Sequence, residues 1–281
     1  MAPSTRLDAV LPGLADGRAT GSLRVGRAGT IYLTAGRVSY AESAGVPGVE
    51  DLLASSGRIA ATTLGSIRRE AAERADGGET LVRQGLLTRG ELQFCVLGAT
   101  LDAAFFLLSA TGTRPRFREG DRHWLGPQWY FDVAGLLREC RRRRLRLDRT
   151  WPSPDLDTRP VAPIPRVSAD RVVLTAVQWE VVVHADAVAT PAELARRLGR
   201  PAYPVLLAVR QLAAAGLLTP PPAAPPPDAP PPDVPGAVPP GALPRRERRA
   251  VRPEGVPPPH DADATDVGVL IRLRDALERL L

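Results

Sequence analysis

Alternating apolar and polar positions near the N-terminus predict a small antiparallel sheet. A short helix over residues 7–14 precedes it, and glycine-containing turns separate the strands at the spacing of β-hairpins. Further along, residues 115–118 predict one more strand, whose single apolar side chain, Phe117, should enter the core. The three strands of the meander are residues 20–25, 30–34 and 37–42.

Helices are predicted to follow the meander. Thr88 and Glu91 have the spacing of a capping box, at the start of a helix that runs to about Leu108. Residues 131–147 predict an amphipathic helix that turns Cys140 toward the core and a run of arginines toward solvent. Shorter helices are predicted over residues 49–56, 67–75 and 79–84.

Residues 151–165 are predicted to be an extended, proline-containing connector. The section after it differs from the first section in its order of helices and strands. Three helices are predicted there, the second capped by Thr190 and opened by Pro191, and a short strand closes the section. That order is typical of a winged helix-turn-helix, so residues 166–219 are expected to form a winged-helix-like domain. The three helices are residues 175–184, 190–198 and 203–215.

The chain then changes composition. Residues 220–260 contain runs of proline that cannot build a core, and they are predicted to be a disordered linker that samples polyproline II. Residues 261–281 predict an amphipathic helix that is too short to be stable alone. We expect its apolar seam to dock on a protein partner, or on a second copy in a homodimer. The seam consists of Leu270, Leu273, Leu277 and Leu280.

Together these patterns predict the α+β class, with a small antiparallel β-meander and helices in the first domain. That domain, with its arginine-rich helix, is expected to span residues 5–150. The extended connector, the winged-helix-like domain, the proline-rich linker and the terminal docking helix follow at the bounds given above.

Composition excludes several classes of function. All 37 basic residues are arginine, and the chain contains neither lysine nor asparagine. A phosphate-binding-loop lysine and a Schiff-base lysine are therefore impossible. Because the codons of the two missing residues are AT-rich, we expect the source to be a bacterium with a GC-rich genome. The N-terminal residues do not resemble a signal peptide, and apolar runs stay below 18 residues, so we expect a cytoplasmic protein without membrane insertion.

Neither a catalytic nor a metal centre is expected. Residues 41–45 (AESAG) resemble a nucleophile elbow, but a turn at the end of an antiparallel strand is the simpler interpretation. The three histidines and the two cysteines are scattered without the spacing of metal ligands, and the two cysteines exclude a disulfide framework. We therefore predict a non-enzymatic protein with no cofactor.

The basic charge is concentrated in one helix. Residues 138–149 contain seven arginines against Glu139 and Asp148, in a chain whose net charge is +6. Such a patch favours nucleic acid or an acidic partner, and the alternative is a solvated helix face. In the winged-helix section, three arginines near residue 198 can hold phosphates, whereas the third helix offers only Tyr203, Arg210 and Gln211 for contact with bases.

The meander also resembles a known family. Residues 20–25 (TGSLRV), followed by residues 29–42 (GTIYLTAGRVSYAE), resemble the start of the PATAN domain. Later helices, at residues 132–139 and 174–218, resemble those of larger members, so the resemblance covers about residues 5–219. It implies a bacterial regulatory module that acts through protein interactions, sometimes in transcriptional regulation, and it implies no catalytic residues.

Two functional hypotheses follow. The first is a non-enzymatic signalling adaptor that acts through protein–protein interaction with partners that the sequence does not identify. The alternative is a DNA-binding transcriptional regulator that uses the winged helix and the arginine patch. The arginines assigned to nucleic-acid or acidic-partner binding are Arg141, Arg142, Arg143, Arg144, Arg196, Arg197, Arg200 and Arg210.

Overall fold

A four-stranded antiparallel sheet organises the first half of the chain in the computed structural model, which describes residues 7–110, 114–167 and 171–219. The predicted meander is confirmed, and a fourth strand pairs with the first so that Gly21 lies opposite Glu119. The strand order is β3-β2-β1-β4. The strands are β1 (Gly21–Val25), β2 (Gly29–Thr34), β3 (Arg37–Ser43) and β4 (Pro115–Glu119).

Nine α-helices and a short 3-10 helix accompany the sheet in the described part of the chain, so the predicted α+β class is confirmed. Most helix ends differ from the predicted ones by a few residues, and α3 begins at Ala61 rather than at residue 67. The α-helices are α1 (Leu7–Asp16), α2 (Val49–Ser55), α3 (Ala61–Ala71), α4 (Gly77–Arg83), α5 (Arg89–Ser109), α6 (Val133–Thr150), α7 (Ala176–His184), α8 (Pro191–Leu198) and α9 (Ala202–Ala214), and the 3-10 helix, η1, is Pro154–Asp157.

The long helix α5 packs against the apolar face of the sheet. Leu23, Ile31 and Ala41 form a cross-strand row, and all three are buried. The predicted capping box starts the helix: Thr88 Oγ1 accepts a hydrogen bond from the Glu91 amide, and the Glu91 carboxylate accepts one from the Thr88 amide at 2.7 Å. By length and composition α5 would suffice to cross a membrane, but 61% of its apolar window is buried inside this fold. It is therefore a core helix here.

The prediction that Phe117 enters the core is wrong. β4 lies at the edge of the sheet, pairs only with β1, and exposes every residue after Pro115. Phe117 itself is 37% exposed. An edge strand has a neighbour on one side only, so its alternating pattern does not guarantee a covered face.

The third section contains the three predicted helices and their caps. Thr190 accepts a hydrogen bond from the Glu193 amide, and Pro191 lies in the first turn of α8. Helix α9 contacts α6, α7, α8 and η1, and ten of its 13 residues are buried. In place of the predicted final strand, Leu218 makes a single β-bridge with Pro163. The winged-helix assignment is not confirmed.

The described residues of both predicted domains belong to one compact unit. The connector takes part in it, because Leu156 is buried and the Val161 amide donates to the Ala189 carbonyl at 2.9 Å. The predicted proline-rich linker and terminal docking helix lie outside the described residues, as do the four leucines of its seam: Leu270, Leu273, Leu277 and Leu280.

Candidate interaction surfaces

The arginine run of α6 divides between the core and solvent. Leu136, Cys140, Arg143 and Leu147 follow one another at helical spacing and are all buried, so they form the core face of α6. The assignment of Arg143 to partner binding is therefore wrong. Its side chain is 1% exposed, because it follows Cys140 by three residues on the buried face.

Arg143 is held by carboxylates inside the protein. Its Nη1 donates to Asp102 of α5 at 2.6 Å and its Nε to Glu139 at 3.1 Å, while its guanidinium lies 4.5 Å from the centre of the Tyr203 ring. Burial alone would lower the pKa of Arg143, but attraction and hydrogen bonding to Asp102 outweigh burial and raise this pKa. Asp102 also accepts a hydrogen bond from the Tyr203 amide at 3.0 Å.

Arg210 is the second correction, since its side chain is fully buried. Its Nε and Nη2 donate to the two carboxylate oxygens of Asp157 at 2.8 and 2.7 Å, and its Nη1 donates to the Trp151 carbonyl at 2.7 Å. This forked pair fastens α9 to η1. The other side chains considered for reading bases are also engaged internally, Tyr203 over Arg143 and Gln211 with Gln178.

The three arginines of the α8 region are exposed, but each is held by a neighbour. Arg196 donates to the Ala44 carbonyl, and Arg197 pairs with Asp186 at 2.6 Å. Arg200 makes two hydrogen bonds to the carboxylate of Glu180, at 3.0 and 2.7 Å. Phosphate binding by these side chains would have to break or share the existing contacts.

The remaining predicted arginines lie on the outer face of α6. Arg142 pairs with Glu139 at 2.7 Å, and Arg144 donates to Ser109 Oγ while lying 4.8 Å above the Phe105 ring. Arg141 is exposed. Arg141 and three other arginines of α6 form a basic ridge. All four are exposed, and none of them has a carboxylate partner among the described residues. The α6 basic ridge is Arg138, Arg141, Arg146 and Arg149.

An apolar surface on α7 was not predicted from the sequence. Only Val181 of this nine-residue helix is buried, whereas Trp179 is 59% and Val183 54% exposed. Six of the ten exposed large apolar residues in the described chain lie between residues 167 and 188. We call five of these the Trp179 face: Val167, Val172, Val173, Trp179 and Val183.

A concave groove of about 460 Å³ opens beside Trp179. Two exposed arginines, Arg166 and Arg171, adjoin two of its valines in the chain. The groove is lined by Pro163, Ile164, Val167, Val172, Leu174, Trp179, Val182 and Leu217. One feature of the sequence indicates this surface: α7 has apolar residues on all of its faces. Such a helix must be buried on every side, or some of its apolar side chains are exposed to solvent.

The cysteines and histidines give no sign of a metal or redox centre in the described residues. There, no cluster of three or more His, Cys, Asp or Glu side chains has the arrangement that could hold a metal ion. Cys140 is buried, and burial raises the pKa of its thiol to about 12, so the reactive thiolate is not formed near neutral pH. Both cysteines are free.

Comparison with known proteins identifies no relative. No protein-family model matches the chain, and no match is found among the curated proteins or the solved structures. The membership of the PATAN family that the meander motif implies therefore stays a prediction, and function has to be argued from the side chains themselves.

Proposed function

We propose that the chain is a non-enzymatic signalling adaptor that binds another protein through the Trp179 face. One observation carries this proposal: α7 and the segment before it expose a tryptophan and four valines, three of these five residues lining one concave groove. Exposed apolar residues that cluster around a groove are typical of surfaces that bind a partner. Tryptophan is also the residue type most enriched among the side chains that dominate binding energy.

The side chains that line the groove indicate which kind of partner segment it can bind. An apolar segment, such as one face of a helix, would fill a cavity lined almost entirely by aliphatic side chains and Trp179. Arg166 and Arg171 beside the groove favour acidic residues flanking that segment, because complementary charge speeds encounter and fixes orientation. The proposed partner is therefore a protein with an apolar docking segment and acidic flanks.

The alternative, DNA binding, has less support from the contacts. A reading helix must expose its side chains to a groove of the duplex, and α9 is mostly buried. In the arginine-rich helix, the α6 basic ridge is still exposed to solvent, and its arginines would give sequence-independent, salt-sensitive attraction to nucleic acid. The proposal also includes the PATAN-like regulatory role and the cytoplasmic location expected from the sequence, which suit a fold whose long apolar helix is a core helix.

Capture experiments with matched variants test the proposal. The full-length chain is immobilised and exposed to lysate of a GC-rich bacterium, as wild type, Trp179→Gln and Phe94→Gln, with and without nuclease. Phe94 is 49% exposed and lies on α5, so its substitution removes an aromatic side chain of comparable exposure elsewhere. We expect a protein that is captured by wild type and Phe94→Gln, lost with Trp179→Gln, and unaffected by nuclease. Identical capture by all three forms, or capture that nuclease abolishes, would refute the proposal.

A further inference from the structure

A second pocket, polar and of about 690 Å³, lies where the end of β3 meets the β1–β2 turn, α2, α3 and α8. Its volume is within the range of small-molecule sites, roughly 300–1,000 Å³. Four arginines line it, two from β1 and the turn after it, one from α3 and one from α8: Arg24, Arg27, Arg68 and Arg196.

The positive charge of this pocket is only partly used within the described residues. Arg68 pairs with Glu50 at 3.1 Å, and Arg196 donates to the Ala44 carbonyl. Arg24 and Arg27, by contrast, are exposed and make no close ion pair with a described carboxylate, although Arg24 attracts Glu42 across the pocket. These two arginines are therefore free to bind an anion that enters the pocket.

An acceptor lies opposite Arg24 on the same face of the sheet. Arg24, Thr30 and Glu42 form a cross-strand row over β1, β2 and β3. The Tyr32 hydroxyl donates to Glu42 Oε1 at 3.1 Å, which fixes the carboxyl group at the pocket wall. Burial raises the pKa of Glu42, against the opposing effects of the Tyr32 hydrogen bond and of attraction to Arg68 and Arg24. Its second oxygen, Oε2, lies 3.7 Å from His123 Nε2.

The buried His123 supplies a donor without an acceptor. Its side chain is 7% exposed, its ring stacks on Tyr40 at 3.9 Å, and burial lowers its pKa to about 3, so the imidazole is neutral. The Leu125 amide donates to Nδ1 at 3.4 Å, which places the ring proton on Nε2. Nε2 lies 3.7 Å from Glu42 Oε2, beyond hydrogen-bond distance, and no other described group accepts from it.

We propose that this pocket binds a small organic phosphate, with the phosphate on Arg24 and Arg27. Arginine is suited to this task because its planar guanidinium offers two parallel donors to phosphate oxygens. Glu42 then accepts a hydrogen bond from a hydroxyl or amino group of the ligand, and His123 Nε2 donates to a ligand oxygen. This ligand site goes beyond the adaptor function and uses none of the Trp179 face.

Calorimetric titration of the full-length chain tests the site. The probes are adenosine 5′-monophosphate, glucose 6-phosphate and inorganic phosphate. We expect saturable binding at one site, with at least one organic phosphate bound more tightly than inorganic phosphate, because only an organic ligand reaches Glu42 and His123. Arg24→Gln combined with Arg27→Gln should weaken binding at least about tenfold, the effect of losing even one charge-assisted hydrogen bond.

The matched control removes the same charge elsewhere. Arg138→Gln combined with Arg141→Gln lies on the α6 basic ridge and should leave the affinity within about twofold, whereas general electrostatic attraction would fall equally in both double variants. Trp179→Gln should leave it unchanged as well. The inference is overturned if neither organic phosphate binds saturably, if inorganic phosphate binds as tightly as both of them, or if the control double variant loses as much affinity as the pocket variant.

Discussion

Arg143 of α6 and Asp102 of α5 form an ion pair of 2.6 Å in which both side chains are almost completely buried, 1% and 2% exposed. The second oxygen of Asp102 accepts the amide of Tyr203 at the start of α9. A single carboxylate therefore joins α5, the arginine-rich helix α6 and α9, the last helix among the described residues. This contact is one of those that join the described residues of the two predicted domains, which belong to one unit.

Breaking this pair should destabilise the whole described unit. Removing one partner of a buried ion pair leaves an uncompensated charge, and we expect Asp102→Asn or Arg143→Gln to cost about 3–5 kcal/mol of unfolding free energy. Arg141→Gln, two residues earlier on the exposed face, should change it by no more than about 0.5 kcal/mol. Urea denaturation measures both. Similar losses for Arg143→Gln and Arg141→Gln would mean that the buried pair does not hold the helices together.

The α8 arginines give a prediction about DNA. Because Arg196, Arg197 and Arg200 are occupied by internal partners, we expect the full-length chain to leave genomic fragments unshifted in gel electrophoresis at about 150 mM salt. Any retardation at low salt should survive substitution of the three α8 arginines by Gln, because other exposed arginines, among them those of the α6 basic ridge, are unchanged. A sequence-specific shift that this triple substitution abolishes would instead restore the transcriptional regulator.

The neutral, buried His123 gives a pH prediction. Its folded pKa of about 3 lies below the usual 6.5, so the unfolded chain binds the extra proton between these values. The contribution of neutral, buried His123 to the free energy of unfolding is fully present above about pH 6.5 and is lost as the pH falls toward 3. Glu42 acts in the opposite direction, since burial raises the pKa of its carboxyl group and favours the protonated form on folding. Arg68 is the cation that contributes to the low pKa of His123.

Comparison with His123→Gln isolates this effect, because Glu42 is common to both forms. The unfolding free energy of the wild type should fall relative to the variant by up to about 1.4 kcal/mol per pH unit below pH 6.5. Denaturation at several pH values between 4 and 7 measures the difference. A difference that does not change with pH would show that His123 is not held neutral in the folded state.

Local features were the part of this fold that the sequence predicted well. Thr88 with Glu91 and Thr190 with Glu193 cap their helices as expected, because these contacts depend on side chains three residues apart. Arg143 and Arg210 were assigned to the surface because their acceptors, Asp102 and Asp157, are 41 and 53 residues away in the chain. Periodicity reveals a buried face, but it does not reveal which distant carboxylate neutralises a charge on that face.

The Trp179 face and the polar pocket were also hard to predict, because each depends on residues that are distant in the sequence. Whether Trp179 is covered depends on the neighbours that α7 acquires in the fold, and its apolar composition alone fits a fully buried helix equally well. The polar pocket likewise has both Arg24 and Arg196 in its wall, two residues far apart in sequence that strand order and helix packing bring to one pocket. The sequence shows that arginine is abundant, but it does not show where the arginine side chains lie in the fold.

The terminal leucines give a prediction that rests on the sequence alone. Leu273→Glu with Leu277→Glu should leave the thermal stability of residues 7–219 unchanged while abolishing capture of a partner that binds the docking helix, because the seam must bury its leucines to form. Calorimetric unfolding of the full-length variant checks the first part and pull-down the second. A large fall in the unfolding temperature would mean that these leucines belong to the core of the folded unit.

Site-specific photo-cross-linking in cells tests the adaptor function most directly. A benzophenone amino acid is introduced in place of Val183, which is 54% exposed on the Trp179 face, and in a control chain in place of Phe94, which is 49% exposed on α5. We predict a covalent adduct with a different protein from position 183 that is absent from position 94 and is suppressed by Trp179→Gln in the same chain. Adducts formed equally at both positions, or formed at position 183 only with nucleic acid or with copies of this chain, would contradict the proposal that this face binds a protein partner.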